Sequence, residues 1–161
     1  MRILAIDAGN VESGYVIMDG YKPIEHGKVI NAELLDVIKR KPRVDVCVLE
    51  MVAHYGTGMP AGATVFDTCV WIGRFTQEAA RCGIKTERIY RREEKIALCG
   101  SMKAKDGNIR QALIDRFAKF DFKSGKGKRD MKDIFYGFNV DQFAAFAVGV
   151  TYLDKIKEDC L

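Results

Sequence analysis

The stretch ILAIDAGNVESGYVIMDG, Ile3 to Gly20, sets a lone acid, Asp7, at the end of an apolar run and follows it with Gly9. RILAID and GYVIMD are β-rich runs with a Gly-containing bend between them, so each reads as a short strand. An acid at that point has three readings. It holds a metal, it belongs to a phosphate cradle, or it caps a turn.

Working outward, MDGYKP reads as a turn through its Asp-Gly and proline, and EHGKVIN as a third strand. Asn31 is placed to cap a helix over AELLDVIKRK, whose Leu34, Leu35 and Ile38 share one face. VDVCVLE, residues 44–50, is an apolar run ending in a second acid, the pattern of a buried strand. A Gly-rich loop, 51–63, leads into a helix from about Val65 to Arg81, closed by Gly83. IKTERIY is a fifth strand, followed by helices over RREEKIAL and NIRQALIDRFAKF. KSGKGKRDMKD has no apolar pattern and reads as a mobile basic loop, and the last helix, NVDQFAAFAVGVTYLDKI, is apolar almost all round and so buried. The order predicts one α/β domain, residues 1–161, with a mixed sheet covered by helices.

Composition narrows the function. No run of 18 apolar residues and no cleavable leader pattern occurs, so the expected setting is cytoplasmic, with no membrane. Five cysteines without CxxC spacing and only two histidines argue against zinc. The cysteines read as reduced thiols, with Cys47 and Cys69 expected in the core. Residues 85–132 hold fifteen Lys/Arg against seven Asp/Glu, within a chain whose net charge is only +4. Such a block is either a phosphate-binding face or a solvated one.

Asp7 and Glu50 both end apolar strands, where open α/β sheets gather their ligands. On neighbouring strands the two carboxylates would converge, repel and resist burial. A hard divalent ion such as Mg²⁺ relieves that cost, and Asp141, at the start of the last helix, is a natural third ligand. Taken singly, Asp7 also reads as a turn acid, Glu50 as a solvated strand end and Asp141 as a helix cap.

The same residues carry a resemblance. ILAIDAGNVESGYVIMD resembles the first hairpin of RuvC-type Holliday junction resolvases, of the RNase H-like fold, and VCVLE resembles their strand bearing the second acid. FDTCVWIGRF, EEKIALCGSMKAKDGNIRQALIDRF and DQFAAFAVGV are similar, in order, to their Gly-centred helix, their Lys and Gly/Ser–Lys segment and their acid-bearing last helix. The likeness spans nearly the whole chain and is to a phage- or prophage-type member. It implies an RNase H-like five-stranded mixed sheet with helices on both faces. It also implies a Mg²⁺-dependent endonuclease, with Mn²⁺ as substitute, that hydrolyses phosphodiester bonds of four-way or branched DNA. In that reading Asp7, Glu50 and Asp141 are the catalytic metal ligands. Lys95, Lys103, Lys105, Arg92 and Tyr55 contact DNA, through phosphate in the case of the lysines. A junction with near two-fold symmetry further implies a homodimer in a bacterial or phage-infected cell, and Val70, Trp71 and Phe75 on the 65–81 helix read as core or as its dimer face.

One departure stands out. The family's last helix carries two acids, or His and Asp, three residues apart. Here Ala144 takes the second position if Asp141 takes the first; sliding by three puts Phe138 on the first. Asp67, Asp130 and Asp133 are the candidates to make up the missing ligand, and His54 is the histidine nearest the site. Two other readings compete. Sugar kinases and actin-like ATPases open similarly but need two such domains and a second phosphate loop, so no nucleotide cofactor is expected. A non-catalytic binder of branched DNA would keep the basic face and lose full metal ligation.

Overall fold

The computed structural model describes residues 1–40, 43–53 and 62–160. Its sheet has five strands in the order β3-β2-β1-β4-β5. They are β1 (Arg2–Asp7), β2 (Glu12–Asp19), β3 (Lys22–Ile30), β4 (Val46–Met51) and β5 (Lys85–Tyr90). β1, β2 and β3 form an antiparallel meander, whereas β4 and β5 run parallel to β1. The mixed sheet expected from the element order is therefore present.

Alternation along the central strands supplies both faces with apolar side chains. Ile3, Ala5, Val16, Met18, Val46 and Val48 face α4 (Asp106–Phe117) and α5 (Val140–Glu158). Leu4, Ile6, Ile17, Cys47 and Leu49 face α1 (Asn31–Lys39) and α2 (Ala63–Arg81). α3 (Arg91–Cys99) follows β5 directly. α5 is the central packing element, with Ala145, Phe146, Ala147, Val148 and Val150 all fully buried. Burying each of its larger side chains contributes about 1.5–3 kcal/mol, which explains a helix that is apolar all round.

Several expectations are corrected. β3 starts at Lys22, so the turn shrinks to Gly20 and Tyr21, and Pro23 is tolerated because β3 pairs only with β2. Asn31 is not a cap. It is the first helical residue, and Ile30 stands at the cap position with no side-chain bond. Asn31 is buried; its Oδ1 accepts from Ser13 Oγ at 2.6 Å and its Nδ2 donates to the Gly9 carbonyl at 2.9 Å. It ties down the bend after Asp7. Cys47 is buried, but Cys69 is only half-buried. On α2, Phe75 belongs to the core and Trp71 packs on it at 5.7 Å between ring centroids, which leaves Val70 and Phe66 exposed.

The basic loop is organised by two carboxylates, Asp121 and Asp133. The Asp121 carboxylate accepts from the Ser124 hydroxyl and from backbone N–H groups of Lys123, Ser124, Lys126 and Gly127. Asp133 is buried and accepts from the backbone N–H groups of Lys119, Phe120, Asp121 and Ile134. Burial alone would raise the Asp133 carboxyl, yet those four donors pull it down to about 2. Asp133 is thus a structural knot and not a spare metal ligand. Loop residues His54 and Tyr55 lie outside the described residues.

Candidate functional site

The strand register explains how the first two acids meet. β1 and β4 are parallel neighbours with Ile6 opposite Leu49, so Asp7 and Glu50 leave the sheet side by side. β5 is in register one strand further on, with Met51 opposite Tyr90, and it delivers Arg91 to the same edge. Asp141 arrives from the first turn of α5. That helix is capped by Asn139, whose Oδ1 accepts from the N–H groups of Asp141 and Gln142. The cap role is taken by Asn139, which frees the Asp141 carboxylate. Gly14 permits the close approach of α5: a Cβ there would stand 2.6 Å from the Asp141 carbonyl oxygen.

Asp7, Glu50, Arg91, Asp106, Arg110 and Ala144 are among the walls of a cleft of about 460 Å³. Gly107, in the first turn of α4, also lines it, so the positive end of that helix dipole faces the space. The electrostatics are strained. Burial, then the charge of Glu50 and that of Asp141, push the Asp7 carboxyl up to about 7 against the pull of Arg91. Burial, then Glu94, push Glu50 up to about 7 as well. Burial and the neighbouring carboxylates together hold both groups well above the usual carboxylate range.

Sequence reasoning missed Arg91, Glu94 and Asp106. Glu94 is wholly buried, and its Oε2 accepts from Arg91 Nη1 at 2.6 Å. Arg91 Nη2 donates to Asp106 Oδ1 at the same distance. Burial works against the guanidinium's charge, but Glu94, Asp106 and Glu50 keep it protonated. Glu94 Oε1 is buried without a hydrogen-bond partner, and burial lifts this carboxyl to about 7. The signal was available: Arg91 follows a strand end just as the acids terminate theirs.

Asp141 lies near enough to raise Asp7, but its Oδ2 is paired with Lys28 Nζ at 3.1 Å. Among the described residues, no three His, Cys, Asp or Glu are gathered tightly enough to hold a metal ion. Asp7 and Glu50 nevertheless fit a hard cation: they are adjacent carboxylates in a cleft, with a third acid close by and charge that Arg91 offsets only in part. Ala144 borders the cleft, whereas Phe138 is buried against Phe135, Phe143 and Phe146. That supports the alignment with Asp141 first and Ala144 second. Asp67 is exposed in the second turn of α2, so it caps nothing, and Asp130 is exposed in the basic loop.

Of the predicted DNA contacts, Tyr55 lies outside the described residues, and Lys95, Lys103, Lys105 and Arg92 are not among the residues that line the cleft. Lys103 and Lys105 are exposed just before α4, and the Lys105 N–H donates to Asn108 Oδ1 at 2.9 Å. Lys95 is half-buried on α3, and after Arg91 it helps to hold the Asp106 carboxyl low. Arg92 is exposed on the same helix.

No family model and no curated protein matches the chain. Solved structures do. Thermus thermophilus RuvC superposes with a TM-score of 0.69 over 99% of this chain and 97% of that one, at 15% identity. The T. thermophilus RuvC complex with a Holliday junction substrate gives a TM-score of 0.72 over 99% and 96%, again at 15% identity. The yeast mitochondrial Holliday junction resolvase Ydc2 gives 0.52 over 99% and 84%, at 12% identity. The chain therefore has the fold of the RuvC-type resolvases.

Proposed function

We propose that this protein is a divalent-metal-dependent endonuclease that cuts four-way or otherwise branched DNA. The observation that carries the reading is the pairing of Asp7 and Glu50 at adjacent parallel strand ends, in a cleft walled by Arg91, Arg110 and the start of α4. Mg²⁺ or Mn²⁺, held by Asp7 and Glu50 with Asp141 as third ligand, would activate water and neutralise charge on the phosphodiester.

The rest falls to the chain's own groups. Arg91, fixed between Glu94 and Asp106, presents a planar donor to a phosphate oxygen without having to be ordered on binding. Arg110, stacked on Phe143 at 4.7 Å, offers a second cation lining the cleft. Lys103 and Lys105 meet the backbone beyond the cleft, as point charges that carry no base preference. Lys28 pairs with Oδ2 of Asp141, so a metal there would compete with that ion pair. A symmetric junction needs two cuts, which suits a homodimer, and the exposed Phe66 and Val70 on α2 offer it an apolar face. No helix among the described residues is long and apolar enough to cross a membrane, in keeping with work in the cytoplasm.

A second reading has a specific observation behind it. Ala144 stands at the cleft where the resemblance asks for an acid, and Lys28 neutralises Asp141, a set suited to a junction binder that does not cut. Incubation with a synthetic four-way junction and Mg²⁺ or Mn²⁺ separates the two. Symmetric nicks that vanish in Asp7→Asn, with junction affinity retained, support the nuclease; tight binding without any cut selects the binder.

A further inference from the structure

Residues 119–132 hold Lys119, Lys123, Lys126, Lys128, Arg129 and Lys132 against only Asp121 and Asp130, a net +4 that equals the formal charge of the entire chain. Among the described residues, none of these six cations forms a salt bridge; Lys132 instead lies 4.6 Å from the ring centre of Tyr136. All but Lys126 are exposed. Like charges crowded this closely repel, and a flexible segment would spread them. Here the backbone holds them together. Asp121 and Asp133 absorb the N–H groups of the turn, Gly127 and Lys132 form an antiparallel bridge, and the Phe135 N–H donates to the Gly125 carbonyl at 2.8 Å. Gly127 has φ +68°, and a Cβ there would collide with the Met131 carbonyl oxygen, so the sequence is shaped to this turn.

The turn is also anchored to the cleft. Phe135 at its base packs on Phe143 at 4.8 Å between centroids, and Phe143 lines the cleft beneath Arg110. A solubilising face has no need of such order, nor of the exposed Phe122 and Met131 set among the charges. We infer that residues 119–132 form a rigid basic knuckle that docks the phosphate backbone of double-stranded nucleic acid leaving the cleft. The docking of a duplex arm rests on the nuclease or junction-binding reading for its biological sense, but it is measurable without it.

The test uses the full chain carrying Lys123→Gln, Lys128→Gln and Arg129→Gln together, with affinity for a linear duplex and a four-way junction followed by fluorescence anisotropy across a salt series. Removing three cations that each neutralise a phosphate should flatten the slope of log affinity against log salt by about 2–3. An unchanged slope on the duplex overturns the proposal. Asp121→Asn loosens the knuckle while making the chain more positive. It should bind duplex at least threefold more weakly, whereas equal or tighter binding refutes the role of order. Lysine labelling of the unaltered protein, with and without duplex, needs no variant: Lys123 and Lys128 should be protected, and undiminished labelling counts against docking. Preference for anionic vesicles over duplex would also overturn it. Should the junction never be cut while the knuckle variants lose duplex affinity, the nuclease reading fails and this one stands. Junction cleavage with an unaltered slope gives the reverse.

Discussion

Glu50→Gln should make the metal-free protein more stable at pH 8 and no more stable at pH 5. Asp7 and Glu50 stand together in the cleft, and burial followed by the charge of Glu50 lifts the Asp7 carboxyl from 3.8 to about 7. In the unfolded chain it titrates near its ordinary value. The folded state thus binds more protons between about pH 4 and 7. Stability from this pair is therefore greatest below that window and is lost as pH rises through it. One proton displaced from 3.8 to about 7 corresponds to at most about 4 kcal/mol. The cleft is open to water, which reduces the figure to roughly 1–2 kcal/mol. Glutamine keeps the shape of Glu50, cannot ionise, and removes its repulsion on Asp7. For a domain of this size the gain at pH 8 is about 2–8 °C in melting temperature. Thermal melts in chelator at pH 5, 6, 7 and 8 measure it. A wild-type melting temperature flat across that range, or a variant no more stable at pH 8, would refute the raised Asp7 carboxyl. Adding Mg²⁺ should raise the wild type at pH 8 and leave Glu50→Gln nearly unmoved.

Two further outcomes are expected. Arg91→Lys keeps a charge but cannot bridge Glu94 and Asp106, so junction cleavage should fall about 100-fold with little change in affinity; a wild-type rate in a single-turnover assay removes Arg91 from the reaction. Replacing Lys103 and Lys105 together with alanine should weaken junction binding and lower its salt slope by roughly 0.9 for each phosphate no longer neutralised, and an unaffected slope moves the DNA path away from the start of α4.

The sheet was legible because its information is local. Alternating apolar runs ended by Asp7 and Glu50 announce strands, and parallel pairing of β1 with β4 then sets the two acids together. The long apolar pattern of α5 announced burial equally well. What local pattern could not reveal was which polar groups become partners. Asn31 looks like a cap because helix caps are short-range, yet its bonds reach Ser13 and Gly9 across the sheet. RREEKIAL reads only as a helix until β5 drops Arg91 beside Glu50, and only the packing of α3 shows that Glu94 has no exposure at all. The basic loop misled for the same reason. Its order comes from Asp121 and Asp133 collecting backbone donors, a device with no apolar period to detect.

The last helix offers the sharpest test of how the site is made. Residues three apart share a helix face, so an acid at position 144 would project toward Asp7 and Glu50 from the cleft wall that Ala144 now forms. Ala144→Asp should therefore strengthen divalent binding, seen as a lower Mn²⁺ dissociation constant by calorimetry and a larger rise in melting temperature with Mg²⁺. Without metal the same variant should be less stable at pH 8 than at pH 5, since a third carboxylate joins a pair that already resists ionisation. Phe138→Asp is the opposing case. Phe138 is 2% exposed and packs edge-on against Phe135, Phe143 and Phe146, so an aspartate there leaves a cavity and an unpaired buried charge, costing about 3–5 kcal/mol or more. Tighter metal binding by Phe138→Asp, together with unfolding of Ala144→Asp, would shift the register of α5 by one turn and put a different face of the helix on the cleft.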